Sequence, residues 1–218
     1  MDAPKPYPMR FFREAGTGPG VGCLHSNAST SAQWRSLMDQ LSPQFHVLAP
    51  DLLGAGKGPA WPPNQAVSLG DEVRLLETVF ARAGDPFVLV GHSYGAAGAL
   101  MAALGCPRRV RAMVLYEPTL FSLLEQEAPG GEAIDAGDTA IAARQGPVAA
   151  SMVNVCGWVS ALFADPTPLN AFCALSMPIL YMVSGRSPTS SLGVLGHMGQ
   201  VTYPKRVNGA IRNCLSQR

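Results

Sequence analysis

The run Phe87-Val88-Leu89-Val90 passes directly into Gly91-His92-Ser93-Tyr94-Gly95 and then into a stretch rich in alanine and glycine that reaches Leu104. Consecutive apolar residues bounded by glycine suit a strand buried on both faces, as inner strands of parallel sheets are. The small-residue stretch predicts a helix over 94–104 that can lie close against such a sheet. G-x-S-x-G then falls on the tight turn between strand and helix. Glycines there remove side chains that would collide with neighbouring backbone, and the turn lifts Ser93 above the sheet edge.

The rest of the chain alternates in the same way, without any internal repeat. Met9 to Glu14 is a short strand, Gly16-Thr17-Gly18-Pro19-Gly20 a turn, and Val21-Gly22-Cys23-Leu24 an apolar run that ends at His25. Trp34, Leu37, Met38 and Leu41 recur at helical spacing, and His46 to Ala49 is the next strand, stopped by Pro50-Asp51. Ser68 can cap a helix carrying Val73, Leu76, Val79 and Phe80 that ends at Gly84. Val110 to Tyr116 and Pro178 to Val183 read as strands, and Pro204 to Leu215 as a closing helix. Strands alternating with helices predict a doubly wound, mostly parallel α/β sheet in a single domain spanning 1–218. Between Phe121 and Phe172 the rhythm breaks, and residues 122–172, with Met152, Val153, Trp158, Leu162 and Phe163, are expected to form a lid or cap insertion.

Composition fits a folded domain of 218 residues, with 47% hydrophobic and 14% charged residues. A net charge of +1, with no basic run beyond Arg108, Arg109 and Arg111, disfavours nucleic-acid binding. No apolar stretch is long enough for a membrane helix, and Met1-Asp2-Ala3-Pro4-Lys5-Pro6 lacks a signal-peptide core, so a cytoplasmic chain without membrane insertion is expected. Cys23, Cys106, Cys156, Cys173 and Cys214 include no C-x-x-C pair and are expected to be small buried hydrophobes. Gly54-Ala55-Gly56-Lys57-Gly58 misses the phosphate-loop pattern, and no metal-ligand spacing occurs. No cofactor and no metal are expected.

Four motifs in order resemble the α/β-hydrolase fold superfamily: His25-Ser26-Asn27, Asp51-Leu52-Leu53-Gly54-Ala55-Gly56, Gly91-His92-Ser93-Tyr94-Gly95 and Gly196-His197-Met198. They are similar to that family's oxyanion loop, its Asp-Leu-x-Gly-x-Gly turn, its nucleophile turn and its C-terminal Gly-His segment. The resemblance covers most of 9–121 and 173–215, whereas 122–172 corresponds only in position, where the family places variable caps. It implies that Ser93 is a nucleophile activated by a histidine, since a serine hydroxyl is a poor nucleophile at neutral pH. His92 adjoins Ser93 on the turn, His46 lies in a strand and His25 sits on the oxyanion loop. His197 is left as the base, in the family order of serine first and histidine last.

The acid that orients the histidine departs from the commonest pattern, because Ser184 to Gly196 contains no Asp or Glu. Glu117 is the first choice. It follows the strand Val110 to Tyr116, whose C-terminal end should share an edge with that of the serine strand. Asp165 and Asp138 are the rivals. For the oxyanion hole the resemblance supplies the backbone N–H groups of Asn27 and Tyr94, with Ser26 standing where the family usually has glycine. Only 14 positions separate Val183 from His197, too few for a further helix and strand, so a shortened C-terminal part is expected, with a sheet edge open to a partner or a homo-oligomer.

Together these features predict a serine hydrolase of the carboxylesterase type, acting on a small-molecule ester through an acyl-enzyme, with lactonase and short-chain lipase as near variants. A carbon-carbon bond hydrolase or a cofactor-free perhydrolase is the alternative on the same triad. A hydrolase-like ligand-binding protein is the alternative from another class.

Overall fold

The structure is a computed structural model that describes residues 11–27, 29–61, 66–120, 152–183 and 204–216. Within them run β1 (Phe12–Ala15), β2 (Gly20–Leu24), α1 (Arg35–Leu41), β3 (His46–Pro50), α2 (Leu69–Ala83), β4 (Phe87–His92), α3 (Tyr94–Gly105), β5 (Val110–Tyr116), α4 (Met152–Ala164), β6 (Ile179–Met182) and α5 (Pro204–Ser216). Single 3-10 segments occupy Ser31–Trp34 and Leu169–Ala174.

The strands form one sheet in the order β1-β3-β2-β4-β5-β6, parallel throughout except for the antiparallel β1. Alternation along each strand sends side chains to opposite faces. Phe87 and Leu89 join Leu24, Leu48, Met113 and Leu115 beneath α2, α3 and α4, while Val88 and Val90 join Val21, Val47, Ala112 and Val114 beneath α1 and α5. Helices on both faces make the doubly wound α/β sandwich that the alternating sequence predicts. β4 is buried along its whole length because it lies between β2 and β5 as well as between the two helix layers.

Local chemistry accounts for several element boundaries. Ser68 caps α2 in a reciprocal box, its hydroxyl accepting from the Asp71 N–H while the Asp71 carboxylate accepts from the Ser68 N–H. Trp34 differs from expectation, closing a 3-10 turn rather than opening the α-helix. That tighter turn is capped by Thr30, whose Oγ1 accepts the Ala32 N–H at 3.2 Å.

Two expectations need qualification. Of the cysteines with described side chains only Cys23 is buried; Cys106 and Cys214 are half-buried and Cys173 is exposed, because the last three sit at helix ends or on a surface 3-10 turn instead of on the sheet. Of the lid expected over 122–172, residues 121–151 lie outside the described part. The remainder carries α4, whose Trp158, Ala161 and Leu162 are buried in the same core cluster as Tyr94. No helix among the described residues is long and apolar enough to cross a membrane.

Candidate active site

The register of the sheet places the C-terminal ends of four strands in line. Gly91 of β4 pairs with Leu24 of β2 and Leu115 of β5, and Leu115 pairs in turn with Tyr181 of β6. The residues that follow therefore emerge together on one edge: His25 to Asn27 after β2, Ser93 after β4 and Glu117 after β5. Two further backbone bonds extend the ladder past the strand ends. The Ser93 N–H donates to the Tyr116 carbonyl and the Glu117 N–H to the Met182 carbonyl, both at 2.9 Å.

Ser93 and Glu117 share an uncommon backbone. Their φ angles are +54° and +46°, the left-handed region that disfavours side chains larger than glycine's hydrogen. Each costs of order 1–3 kcal/mol, and such strain persists only where the surroundings impose it. At Ser93 the surroundings are visible in the flanking glycines. A Cβ on Gly91 would lie 2.5 Å from the Ala96 Cα, and a Cβ on Gly95 would lie 2.4 Å from the Leu24 carbonyl oxygen and 2.5 Å from that of His25. The motif's glycines thus let α3 turn back on β4 and let the end of β2 press against α3. Ser93 is 2% exposed and stands at the N-terminus of this 12-residue helix, whose first N–H groups and dipole favour negative charge there.

The loop bearing Asn27 is held by side chains, since it has left the ladder. The His25 Nδ1–H donates to the Ser26 carbonyl at 2.7 Å, and its Nε2 accepts the Leu52 N–H at 3.0 Å. Burial depresses this imidazole to about 4, so it remains neutral with both ring nitrogens engaged. Asp51, at the end of β3, accepts the Ser31 N–H at 2.7 Å and the Lys57 N–H at 2.8 Å. Burial opposes charge on Asp51, but these donors outweigh it and hold the carboxyl below its ordinary value. The Asp51 turn and the His25 loop are in this way fastened to each other beside Ser93.

His92 and its neighbours set a further restraint. The His92 ring is fully buried, tilted against Tyr116 at 4.9 Å between centroids, and its Nδ1 lies 3.0 Å from Gln33 Nε2. Gln33 Oε1 accepts the Ser26 N–H at 3.2 Å. Behind the elbow, the Tyr94 hydroxyl donates to Glu72 Oε2 at 3.1 Å, Glu72 Oε1 accepts the Leu53 N–H at 3.1 Å, and the Trp158 indole N–H donates to the Leu53 carbonyl at 3.1 Å. Burial raises the Glu72 carboxyl to about 7. The sequence reading missed Gln33 and Glu72. Gln33 gives no periodic signal, and Glu72 looks like an ordinary acid in the first turn of a helix.

The structure brings Asn27, Ser93, Tyr94 and Glu117 to one sheet edge. Glu117 is 2% exposed. Asp165 is elsewhere: its Oδ1 accepts the Thr167 N–H at 2.9 Å, and Thr167 contacts Met101, which lies about 12 Å down α3 from Ser93. His197 and Asp138 lie outside the described residues. Among the described residues no group of three or more His, Cys, Asp or Glu side chains could hold a metal ion.

Comparison with known proteins agrees with this fold. The family model described as alpha/beta hydrolase fold matches residues 21–146. The chain is similar to Lipase LipV of Mycobacterium tuberculosis, with 34% identity over 114 residues covering 51% of this chain and 42% of the relative. It is equally similar to a haloalkane dehalogenase of Bradyrhizobium diazoefficiens, with 34% identity over 109 residues, 49% of this chain and 34% of the relative. The chain thus spans less than half the length of these curated relatives. Among solved structures, an esterase from Exiguobacterium antarcticum superposes with a TM-score of 0.74 over 97% of this chain and 99% of its own at 14% identity, a likeness of fold.

Proposed function

Because this chain belongs to the alpha/beta hydrolase fold family, we propose that it is a serine hydrolase that cleaves carboxylic esters through an acyl-enzyme. Ser93 is the nucleophile, His197 the general base and acid, and Glu117 the carboxylate that orients the imidazole. The backbone N–H groups of Tyr94 and Asn27 form the oxyanion hole. The observation that carries this reading is Ser93 itself: a buried serine held at φ +54° on the strained turn between a central parallel strand and a helix N-terminus.

In the first half-reaction the Ser93 Oγ attacks the ester carbonyl as its proton passes to the imidazole. Negative charge develops on the carbonyl oxygen, which faces the helix N-terminus and its N–H groups. Collapse expels the alcohol, which takes the proton from the imidazolium, and a water molecule repeats the sequence on the acyl-enzyme to release the acid. The nucleophile type favours ester chemistry over dehalogenation, which in the family uses an aspartate where Ser93 stands. The lipase name of the mycobacterial relative is in keeping with this class, and the low charge of the chain suits an uncharged acyl group.

The test is labelling with a fluorophosphonate, alongside turnover of nitrophenyl acetate, butyrate and octanoate. The full chain should be labelled stoichiometrically and hydrolyse at least one of the esters, and Ser93→Ala should do neither. A folded chain that resists the label and leaves all three esters intact is a ligand-binding relative of these enzymes instead.

A further inference from the structure

An oxyanion hole assembled from two segments works only if both donors point at the same oxygen, with a tolerance well under 1 Å. The Tyr94 N–H is set rigidly by the elbow and α3. Asn27 lies on a loop beyond the end of β2, and something must hold that loop at a fixed distance from the elbow.

We propose that Gln33 is a positioning residue that braces the Asn27 loop against the nucleophile turn and so sets the spacing of the oxyanion hole. This rests on the reading of Ser93 as nucleophile. Gln33 has one amide and touches both sides with it. Its Oε1 accepts the Ser26 N–H at 3.2 Å, and its Nε2 lies 3.0 Å from Nδ1 of His92, the residue immediately before Ser93. The orientation of the amide follows from chemistry, because the Ser26 N–H can only donate and therefore must face the carbonyl oxygen. The amide NH2 then faces His92, so Nδ1 carries the lone pair and the ring proton sits on Nε2.

Ser26 strengthens the same brace. Its hydroxyl lies 3.3 Å from both Gln33 Oε1 and the Asn27 carbonyl, and its single proton serves one or the other. The residue that stands where the family usually has glycine is thus bound through its main chain to the glutamine that reaches the elbow, and its hydroxyl lies within reach of the same amide oxygen. Asparagine at 33 would be one methylene too short to span both contacts. Glutamate would keep the acceptor toward Ser26 but present a second acceptor to a nitrogen that is itself an acceptor.

The experiment compares the full chain with Gln33→Leu, which deletes both contacts at similar volume, and Gln33→Glu, which is isosteric and covers the case in which leucine prevents folding. In Gln33→Leu, kcat for nitrophenyl butyrate and the rate of fluorophosphonate labelling should fall together by about ten- to a hundredfold, less than the loss of a whole oxyanion donor, while KM moves by less than about twofold. Affinity for a trifluoromethyl ketone, whose tetrahedral adduct places its oxygen in the hole, should fall by the same factor as kcat/KM. A merely structural role would not produce that correlation. Nitrogen NMR of His92 should read an unprotonated Nδ1 in the unsubstituted chain and a protonated one in Gln33→Glu. A folded Gln33→Leu with unchanged kcat and ketone affinity, or a protonated Nδ1 in the unsubstituted chain, overturns the brace alone; Gln33→Glu, once Nδ1 is protonated, regains both contacts and should keep kcat within about threefold. Failure of the unsubstituted chain to react with either ester or fluorophosphonate overturns the hydrolase reading, and the positioning role with it.

Discussion

The Tyr94 hydroxyl donates to Glu72 Oε2 at 3.1 Å, joining the residue after the candidate nucleophile to a carboxyl that has no exposure to solvent. Burial raises that carboxyl from an ordinary 4.5 to about 7. As pH rises from 4.5 the unfolded chain therefore loses this proton first, and the folded state loses about 3 kcal/mol relative to it by about pH 7. His25 acts in the opposite sense, its folded value of about 4 against an ordinary 6.5 adding stability of similar size as pH rises through that window. The two largely cancel between pH 4.5 and 6.5. Glu72→Gln keeps an acceptor for Leu53 and a donor for the Tyr94 oxygen while removing the titration. Urea unfolding at pH 4.5, 6 and 7.5 should show its stability rising with pH by about 3 kcal/mol more than that of the unsubstituted chain.

The choice of acid can be decided by parallel substitution. Glu117→Gln should lower kcat for nitrophenyl esters by about a hundredfold or more with little change in KM, whereas Asp165→Asn should leave kcat within about twofold. Asp165 closes a turn with Thr167 beside α3, remote from the edge that carries Ser93 and Glu117. An inactive Asp138→Asn beside an active Glu117→Gln would transfer the role to Asp138.

Gly95→Ala tests the close approach of β2 to α3. Its new Cβ would meet the carbonyl oxygens of Leu24 and His25, backbone atoms that cannot swing aside. The expected cost is about 1–3 kcal/mol in urea unfolding, in contrast to the gain usual for Gly→Ala inside a helix. Because the displaced backbone leads directly into the Asn27 loop, any ester turnover should drop as well.

Trp158→Phe removes the indole N–H that serves the Leu53 carbonyl and leaves that buried oxygen unpaired. Thermal or urea unfolding should register a loss of about 1–3 kcal/mol. Trp61 meets this ring edge-on and Tyr94 at a tilt, at centroid distances of 6.2 and 6.0 Å, and the smaller phenyl ring adds a cavity cost to that of the missing hydrogen bond.

The alternation of strands and helices, the cap at Ser68 and the strained turn at Ser93 were readable in the sequence because each is a local matter. An apolar run, a serine before a helix and glycines two residues either side of a serine all report on a few neighbouring residues. Glu117 was reachable only by assuming which strands pair, and its left-handed backbone has no local signature. It is adopted where β5, paired on both sides up to its last residue, leaves the sheet with the Glu117 N–H donating to the Met182 carbonyl. Gln33 and Glu72 lie further still from local inference. The same side chains on an isolated 3-10 turn or helix would face water. What turns them into a brace and a buried proton-binding group is the arrival of His92, Leu53 and Tyr94 from other parts of the chain, contacts that span 19 to 59 residues. Local propensity and periodicity determined which segments become strands and helices. Only the packing of those segments decided which polar groups lose water, and hence which must find one another.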